Sequence, residues 1–293
     1  MIQPGWEALV APFARNTFMQ NALLAGLLVS VACAVVGTFV VLRGLAFIGD
    51  ALAHGVLPGV AAALLLGLPG MLGAAVGALG MIFGIGVITR KSNLSSDTAI
   101  GLLFVGMLAL GVAIVSRSQS FSGDLVRILF GEILGIRGAE LALQAVATVA
   151  IAGTAFLCYR PFLLLCFSPE QAQVSGYPPR RYHAIMLLMI ALTVVVSFRT
   201  VGTLLVFGML LAPAAAAALF SRKVTTMVLV AAGIGALSVY LGLLASYYAN
   251  LAAGAAITLT ASAIFFLLFT LRQLLPAPAP HRAHRHRAPG AAA

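Results

Sequence analysis

Residues 44–59, GLAFIGDALAHGVLPG, place an acid and a histidine inside sequence that is otherwise built for lipid. Asp50 and His54 are four residues apart, so on a helix they lie one above the other on the same face. Pro58 cannot donate a hydrogen bond to the carbonyl of His54, because proline has no N–H. A charge near the centre of a membrane helix costs about 3 kcal/mol on insertion scales, so it is rarely kept without a use. Carboxylate, imidazole and released carbonyl together predict a cation site.

The same pair also has a purely structural interpretation. Asp50 and His54 can hydrogen-bond each other or a neighbouring helix and simply hold a membrane bundle together. The residues alone leave both interpretations open.

The composition decides the class of protein. Of the 293 residues, 62% are hydrophobic and 8% are charged, and the mean hydropathy is +1.10. These values predict a polytopic membrane protein without a soluble domain. The net charge is +10, but the basic residues lie in short clusters between apolar runs, which is typical of cytoplasmic loops and not of nucleic-acid binding. The three scattered cysteines predict packing residues or free thiols, not disulfides or a thiolate metal site.

The apolar runs predict an all-α fold with eight to ten transmembrane helices. The first run is long enough to span a bilayer, which favours a membrane helix over a cleavable signal. A cap at Ser96 or Asp97 is expected to begin the fourth span. The predicted spans are residues 18–42, 44–68, 69–89, 96–115, 141–159, 182–198, 204–220, 224–248 and 252–274.

Three segments lie outside these spans. Residues 1–16 are short and mixed and predict an interfacial segment. Residues 117–138 carry three arginines and two acids around an apolar core that is too short to span; this favours an interfacial or re-entrant helix on the far side of the membrane, with a gating role left open. Residues 276–293 are rich in Pro, Arg and His and predict a disordered cytoplasmic tail that touches anionic head groups or weakly collects metal.

The loop at residues 168–181 predicts a short helix of its own. Ser168, followed by proline and then by Gln171, has the form of a capping box, and Gly176 can end the helix in a left-handed turn. The basic residues Arg180 and Arg181 indicate the cytoplasmic side. Such a helix is either a docking element for a soluble partner or an ordinary solvated connector.

The chain also lacks several motifs. It contains no GxxxxGK[ST], HExxH or GxSxG pattern, which argues against a phosphate-loop nucleotide site, a zinc protease and a nucleophile-elbow hydrolase. We therefore expect that the chain is not an enzyme and that energy for any transport comes from elsewhere.

Up to about residue 275 the sequence resembles the membrane permease subunits of bacterial ATP-binding-cassette importers for manganese, zinc and iron. The resemblance is most specific at residues 38–60, and it is supported at residues 129–136, 169–176 and 201–217. Two features depart from the family pattern: Gly44 stands where a second basic residue is common, and the His- and Arg-rich tail is not a general feature.

The resemblance implies a role for each motif. Asp50 and His54 become metal-contacting residues in the translocation path, while Glu170, Ala172 and Gly176 belong to a coupling helix that docks on the ATPase. The expected architecture is one permease domain over residues 17–275 in the bacterial plasma membrane, surrounded by lipid. The expected partners are a cytoplasmic ATPase that hydrolyses ATP and an extracytoplasmic metal-binding protein. No cofactor is expected to stay bound; the cargo is Mn²⁺ or Zn²⁺, ahead of iron.

One aspartate and one histidine are too few for a metal that takes four or more ligands. Two copies around a two-fold axis supply two carboxylates and two imidazoles, so we expect a homodimer. This oxygen and nitrogen set suits manganese, zinc and ferrous iron without selecting among them. Two alternatives remain open: a stand-alone secondary transporter or channel for divalent cations, and a scaffold without transport activity.

Overall fold

The computed structural model describes residues 5–92, 94–116 and 133–274. These residues form thirteen α-helices and one 3₁₀ turn, Ile133–Gly135, with no strand among them. The all-α prediction is therefore confirmed. The helices are α1 (Gly5–Arg15), α2 (Thr17–Leu42), α3 (Ala46–Gly55), α4 (Leu57–Leu65), α5 (Gly70–Lys91), α6 (Ser96–Val115), α7 (Gly138–Leu157), α8 (Tyr159–Phe167), α9 (Pro169–Val174), α10 (Pro179–Val201), α11 (Thr203–Phe220), α12 (Val224–Ala249) and α13 (Ala253–Leu274).

Eight helical segments of the described chain are long and apolar enough to cross a bilayer. They are α2, the combined α3 and α4, α5, α6, α7, α10, α12 and α13. The shorter apolar helix α11 lies between α10 and α12 in the chain, and counting it as a crossing lets successive segments run in alternate directions through the membrane. Basic residues lie at alternate ends of these segments, at residues 43, 90–91, 180–181, 222–223 and 272, whereas the opposite ends carry fewer, among them Arg15 and Arg137. The excess of positive charge marks this side as the cytoplasm. The chain is a multi-pass membrane protein.

The predicted spans agree with the observed helices to within a few residues, and two differences have a physical reason. The N-cap of α6 is Ser95 and not Ser96 or Asp97, because the Ser95 hydroxyl accepts a hydrogen bond from the backbone N–H of Thr98 at 3.1 Å. Helix α8 was not predicted as a separate element. Of the segments outside the spans, residues 1–16 are helical from Gly5 onward, while most of residues 117–138 and the whole tail at residues 276–293 lie outside the described residues.

Helices α2, α11, α12 and α13 form a closely packed set, which we call the scaffold group. Gly37 of α2 lies so close to α11 that an added Cβ would overlap the carbonyl oxygen of Leu210. Buried hydroxyls in this group bond to main-chain carbonyls. Thr38 donates to Ala34 at 2.7 Å and Ser238 to Ile234 at 2.8 Å within their own helices, while Ser30 of α2 donates to Ala232 of α12 at 3.4 Å. This arrangement satisfies polar groups where no water can.

Helices α3, α4, α5 and α6 form the second set, which we call the site group. Within it α4 and α5 meet backbone to backbone at Gly59 and Gly73, where neither position has room for a side chain. Such small residues allow close helix packing in lipid. Helix α10 contacts α2, α3, α5 and α11 and therefore lies between the two groups.

Candidate functional site

The Asp50–His54 pair lies beside a break in a membrane helix. Helix α3 ends at Gly55 and α4 begins at Leu57, with Pro58 in the first turn of α4, where its missing N–H is not needed. His54 occupies the last turn of α3. Val56, between the two helices, has helical torsion angles of φ −71° and ψ −29°, and its N–H donates to the carbonyl of Leu52 at 3.1 Å. The break is therefore a local interruption at Val56 and Pro58 within one membrane span.

The two side chains face each other as the i, i+4 spacing predicts. His54 Nε2 lies 3.4 Å from Asp50 Oδ1. The His54 ring meets the edge of Phe104 of α6 at a centroid distance of 5.3 Å, and Phe104 in turn contacts Phe47 at 6.1 Å. The aromatic rings therefore cover one flank of the pair.

The pair is open on another flank. The side chain of His54 is 24% exposed and that of Asp50 is 27% exposed. His54 Nδ1 is buried and has no hydrogen-bond partner among the described residues. A buried nitrogen without a partner is costly unless something else bonds to it.

The described chain brings only two side chains of metal-binding type together here. Among the residues that the structure describes, no group of three or more His, Cys, Asp or Glu side chains is placed to hold a metal ion. The sequence-predicted pair is thus brought together, but no third protein ligand joins it within the described chain.

The second predicted cluster lies on the cytoplasmic side. The Ser168 hydroxyl accepts a hydrogen bond from the N–H of Gln171 at 3.2 Å, and proline begins α9, as the capping pattern predicts. The helix ends with the Tyr177 N–H bonded to the carbonyl of Ala172 at 2.9 Å and with Gly176 at φ +82°. A residue with a side chain rarely adopts that conformation, which explains the glycine. The helix has six residues, which agrees with the short helix predicted for this loop.

The three predicted coupling residues do not share one surface. Glu170 and Gly176 are exposed, whereas Ala172 is 1% exposed and packs against its own chain. Two apolar side chains that the sequence reasoning did not single out are exposed beside them: Phe167 at 72% and Val174 at 91%. Phe167 and Val174 could have been found from the sequence, because they are apolar residues at the two ends of a short helix predicted to lie on the surface.

The cysteines are free thiols, as predicted, among the described residues. Cys33 is buried in α2, and Cys158 and Cys166 are half-buried at the two ends of α8. Burial raises the pKa of the Cys166 thiol to about 11, although the nearby Arg43 guanidinium opposes this. Cys166 is therefore a protonated, weakly reactive thiol at neutral pH.

Two further buried or half-buried groups were missed by the sequence reasoning. Arg43 donates a hydrogen bond across the fold to the carbonyl of Leu165, and His183 of α10 has a buried Nδ1 without a partner among the described residues. A contact between residues 122 positions apart leaves no local signal in one sequence.

The fold is a bundle of membrane-crossing helices. It carries a polar pair at a helix break and a short capped helix on the cytoplasmic side, and together these features define a helical membrane permease. Sequence comparison then gives the family. Residues 15–272 match the ABC 3 transport family. The chain belongs to this family and is a permease component of an ATP-binding-cassette transporter.

Individual relatives agree with this assignment. The chain is 38% identical over 255 residues to the manganese transport system membrane protein MntC of Listeria monocytogenes, covering 87% of this chain and 91% of the relative. It is 39% identical over 253 residues to the manganese import system permease protein ScaB of Streptococcus parasanguinis, covering 86% and 89%. Among solved structures it matches PsaBC from Streptococcus pneumoniae in complex with Fab, with a TM-score of 0.80 and 35% identity, covering 89% of this chain and 94% of that chain.

Proposed function

We propose that this permease imports a divalent transition metal, manganese or zinc ahead of iron, by alternating access driven by a separate cytoplasmic ATPase. The observation that carries the proposal is the Asp50–His54 pair at the break between α3 and α4. Relatives named for manganese transport, at 38% and 39% identity, support manganese as the first cargo to test. No permanently bound cofactor is required.

The geometry of the pair suits an ion held between its two side chains. With metal–ligand bonds of about 2.1 Å, a separation of 3.4 Å between Oδ1 and Nε2 corresponds to a ligand–metal–ligand angle of roughly 108°. Both side chains can therefore bind one ion without leaving their positions.

A homodimer supplies the ligands that one chain lacks. Manganese, zinc and ferrous iron take four or more ligands, and one described chain offers two side chains here. Because Asp50 and His54 are open on one flank, a second copy related by a two-fold axis can present the same pair to the same ion. This arrangement doubles the carboxylates and imidazoles at the centre of the assembly.

The remaining parts of the chain take supporting roles in this proposal. Residues 17–275 form the permease domain, and residues 1–16 lie at the membrane interface. The loop at residues 168–181 contacts the ATPase through Glu170, Ala172 and Gly176, with Ala172 acting by packing α9 onto its own chain. An extracytoplasmic metal-binding protein delivers the ion.

The test is whole-cell manganese, zinc and iron, measured by mass spectrometry under metal limitation. A strain lacking this chain is complemented with the native sequence, Asp50→Ala, His54→Ala or the control Asp97→Ala, which removes an exposed acid at the start of α6. We expect one metal to fall on deletion and to return with the native chain and with Asp97→Ala. Loss of either ligand should lower uptake by more than about tenfold, since even partners of metal ligands contribute that much.

Two results contradict parts of the proposal. If Asp50→Ala and His54→Ala restore the metal as well as the native chain does, the pair has only a structural role. If the purified chain alone carries metal into proteoliposomes without an ATPase or ATP, the chain is a secondary transporter or channel instead.

A further inference from the structure

Arg43 connects the turn before α3, the helix that carries Asp50 and His54, to the segment before α9. It ends α2, with its own N–H bonded to the carbonyl of Phe39 at 3.0 Å. Its side-chain Nη1 donates a hydrogen bond to the carbonyl of Leu165 at 3.0 Å. The contact therefore joins the cytoplasmic end of α2 to the end of α8.

Arg43 acts as a cap for α8. The last carbonyls of a helix have no partner within it, and a cation there is favoured by the helix dipole. At the end of α8 the carbonyl of Leu164 accepts a bond from the N–H of Ser168 at 2.8 Å, and the next carbonyl, that of Leu165, accepts from Arg43. Ser168 is also the N-cap of α9, so the capped end of α8 and the start of α9 are one continuous piece of structure.

No described carboxylate competes for this guanidinium. Within the part of the chain that the structure describes, no carboxylate lies within 4.0 Å of the Arg43 guanidinium. Burial lowers the pKa of Arg43, and the neighbouring Cys166 opposes this. Arginine stays charged in proteins. The charged guanidinium therefore interacts with the main-chain carbonyl of Leu165.

Aromatic contacts reinforce the same connection. Phe39 of α2, one turn before Arg43, meets the edge of Phe162 of α8 at 5.2 Å. Phe162 contacts Tyr182 of α10 at 6.4 Å, and Tyr182 contacts Tyr177, just after α9, at 5.7 Å. Such edge-to-face pairs add stability beyond the area they bury. The end of α2 thus packs with the elements on both sides of α9.

Gly44 follows Arg43 directly and has a backbone conformation that other residues rarely adopt. Its φ is +65°, and an added Cβ would meet no atom within 4 Å. The glycine is therefore required by the backbone conformation and not by lack of space. Helix α3 begins two residues later at Ala46 and carries Asp50 in its second turn.

We propose that Arg43 is a positioning residue that transmits movement of α9 to α3 and so to the Asp50–His54 pair. The inference rests on the proposed function, because it assumes that an ATPase moves α9. When α9 shifts, the end of α8 shifts with it, Arg43 carries the α2–α3 turn along, and α3 pivots at Gly44. The role requires both the charge and the reach of the side chain to the carbonyl of Leu165.

The experiment compares the native chain, Arg43→Gln, Arg43→Lys and Arg160→Gln in the complete transporter reconstituted with its ATPase. Arg160→Gln is the matched control, because it removes an exposed arginine from α8 itself. Hydrogen exchange by mass spectrometry is recorded without nucleotide and with ATP and vanadate, and ATP hydrolysed per manganese ion imported is measured on the same samples.

In the native complex we expect nucleotide to change exchange both at residues 169–176 and at residues 44–50. In Arg43→Gln the response at 169–176 should persist, while the response at 44–50 is lost and ATP used per ion rises about tenfold, as expected for loss of one charged hydrogen bond. Arg43→Lys should recover most of the native ratio, and Arg160→Gln should equal native. A merely structural role for Arg43 would not remove the response at one segment and spare it at the other.

Two outcomes overturn the inference. If Arg43→Gln keeps the response at 44–50 and the native ATP ratio, Arg43 does not transmit the movement, although the proposed function stands. If the native complex shows no nucleotide response at 169–176 and imports no metal with ATP, the proposed function fails and takes this inference with it.

Discussion

Leu210 contacts both helix groups, and the two contacts differ in kind. Its backbone carbonyl lies against Gly37 of α2 in the scaffold group, where an added Cβ would overlap the main chain. Its side chain lies against Gly49 of α3 in the site group, where an added Cβ would come within 2.6 Å of a terminal methyl carbon. A main-chain contact cannot adjust without moving a helix, whereas a side-chain contact can adjust by a rotamer change.

Some buried polar atoms of the two groups also differ in their hydrogen bonding. In the scaffold group the buried hydroxyls of Thr38 and Ser238 bond to their own helices. In the site group the buried Nδ1 of His54 has no partner among the described residues. The buried share of the apolar windows does not separate the groups, since it is 67% for both α2 and the combined α3 and α4, and 22% for α13 against 17% for α6. The groups therefore differ at two places: the site group meets Leu210 through a side chain that can adjust, and it holds a buried nitrogen without a described partner.

The largest expected effect comes from breaking the scaffold. Gly37→Ala places a methyl group against the Leu210 carbonyl and should cost about 3 kcal/mol or more of stability. Gly106→Ala in α6 is the matched control, since an added Cβ there meets nothing within 4 Å. Size-exclusion chromatography after heating should show the Gly37→Ala transition at least about 5 °C below native. Equal transitions for the two variants would contradict the contrast between the groups.

A second prediction sharpens the comparison by asking what the open flank meets. Phe47 is 55% exposed and lies three residues before Asp50, on the same face. If two copies share one ion, Phe47→Cys should be joined to its counterpart by a short bifunctional maleimide, so that most of the chain runs as a dimer in a denaturing gel.

The control for that experiment is Leu229→Cys on α12, which is 72% exposed near the same side of the membrane. We expect it to stay monomeric, because a lipid-facing scaffold position has no reason to approach a second copy. A dimer band of equal strength from both variants would mean random collision, and a monomer from both would argue against the two-copy site.

The smallest expected effect is at the contact between Gly49 and the Leu210 side chain. Gly49→Ala should displace the Leu210 side chain slightly and shift α3, lowering manganese uptake about two- to threefold without loss of protein, at a cost of about 1 kcal/mol. Adding Leu210→Val shortens the opposing side chain and should restore uptake. If the double variant is no better than Gly49→Ala alone, the loss has another cause.

Much of the architecture could be predicted because lipid imposes a simple rule. Apolar runs must become helices of fixed length, so nine predicted spans correspond to observed helices. Pro58 signalled a missing backbone hydrogen bond and Gly176 a helix end, both through backbone chemistry that does not depend on neighbours. The i, i+4 spacing likewise placed Asp50 beside His54.

The errors and omissions share a different origin. Three successive serine and aspartate residues can each cap α6, and only the observed bond from Thr98 selects Ser95. Helix α8 contains Pro161 and is nine residues long, so neither its length nor its composition resembled a span. The burial of Ala172 and the bond from Arg43 to Leu165 depend on how distant segments pack, which one sequence does not record.

The two ligands per chain have a consequence for the timing of metal traffic in the cell. In the proposed assembly, a newly made copy that has not yet met its counterpart carries half of a binding site, and half a site holds a divalent ion weakly. Isolated copies in the membrane are then poor conductors of metal, whatever their number. Leakage of a scarce and reactive ion is avoided without any dedicated gate, because the route for the ion exists only once the transporter is assembled.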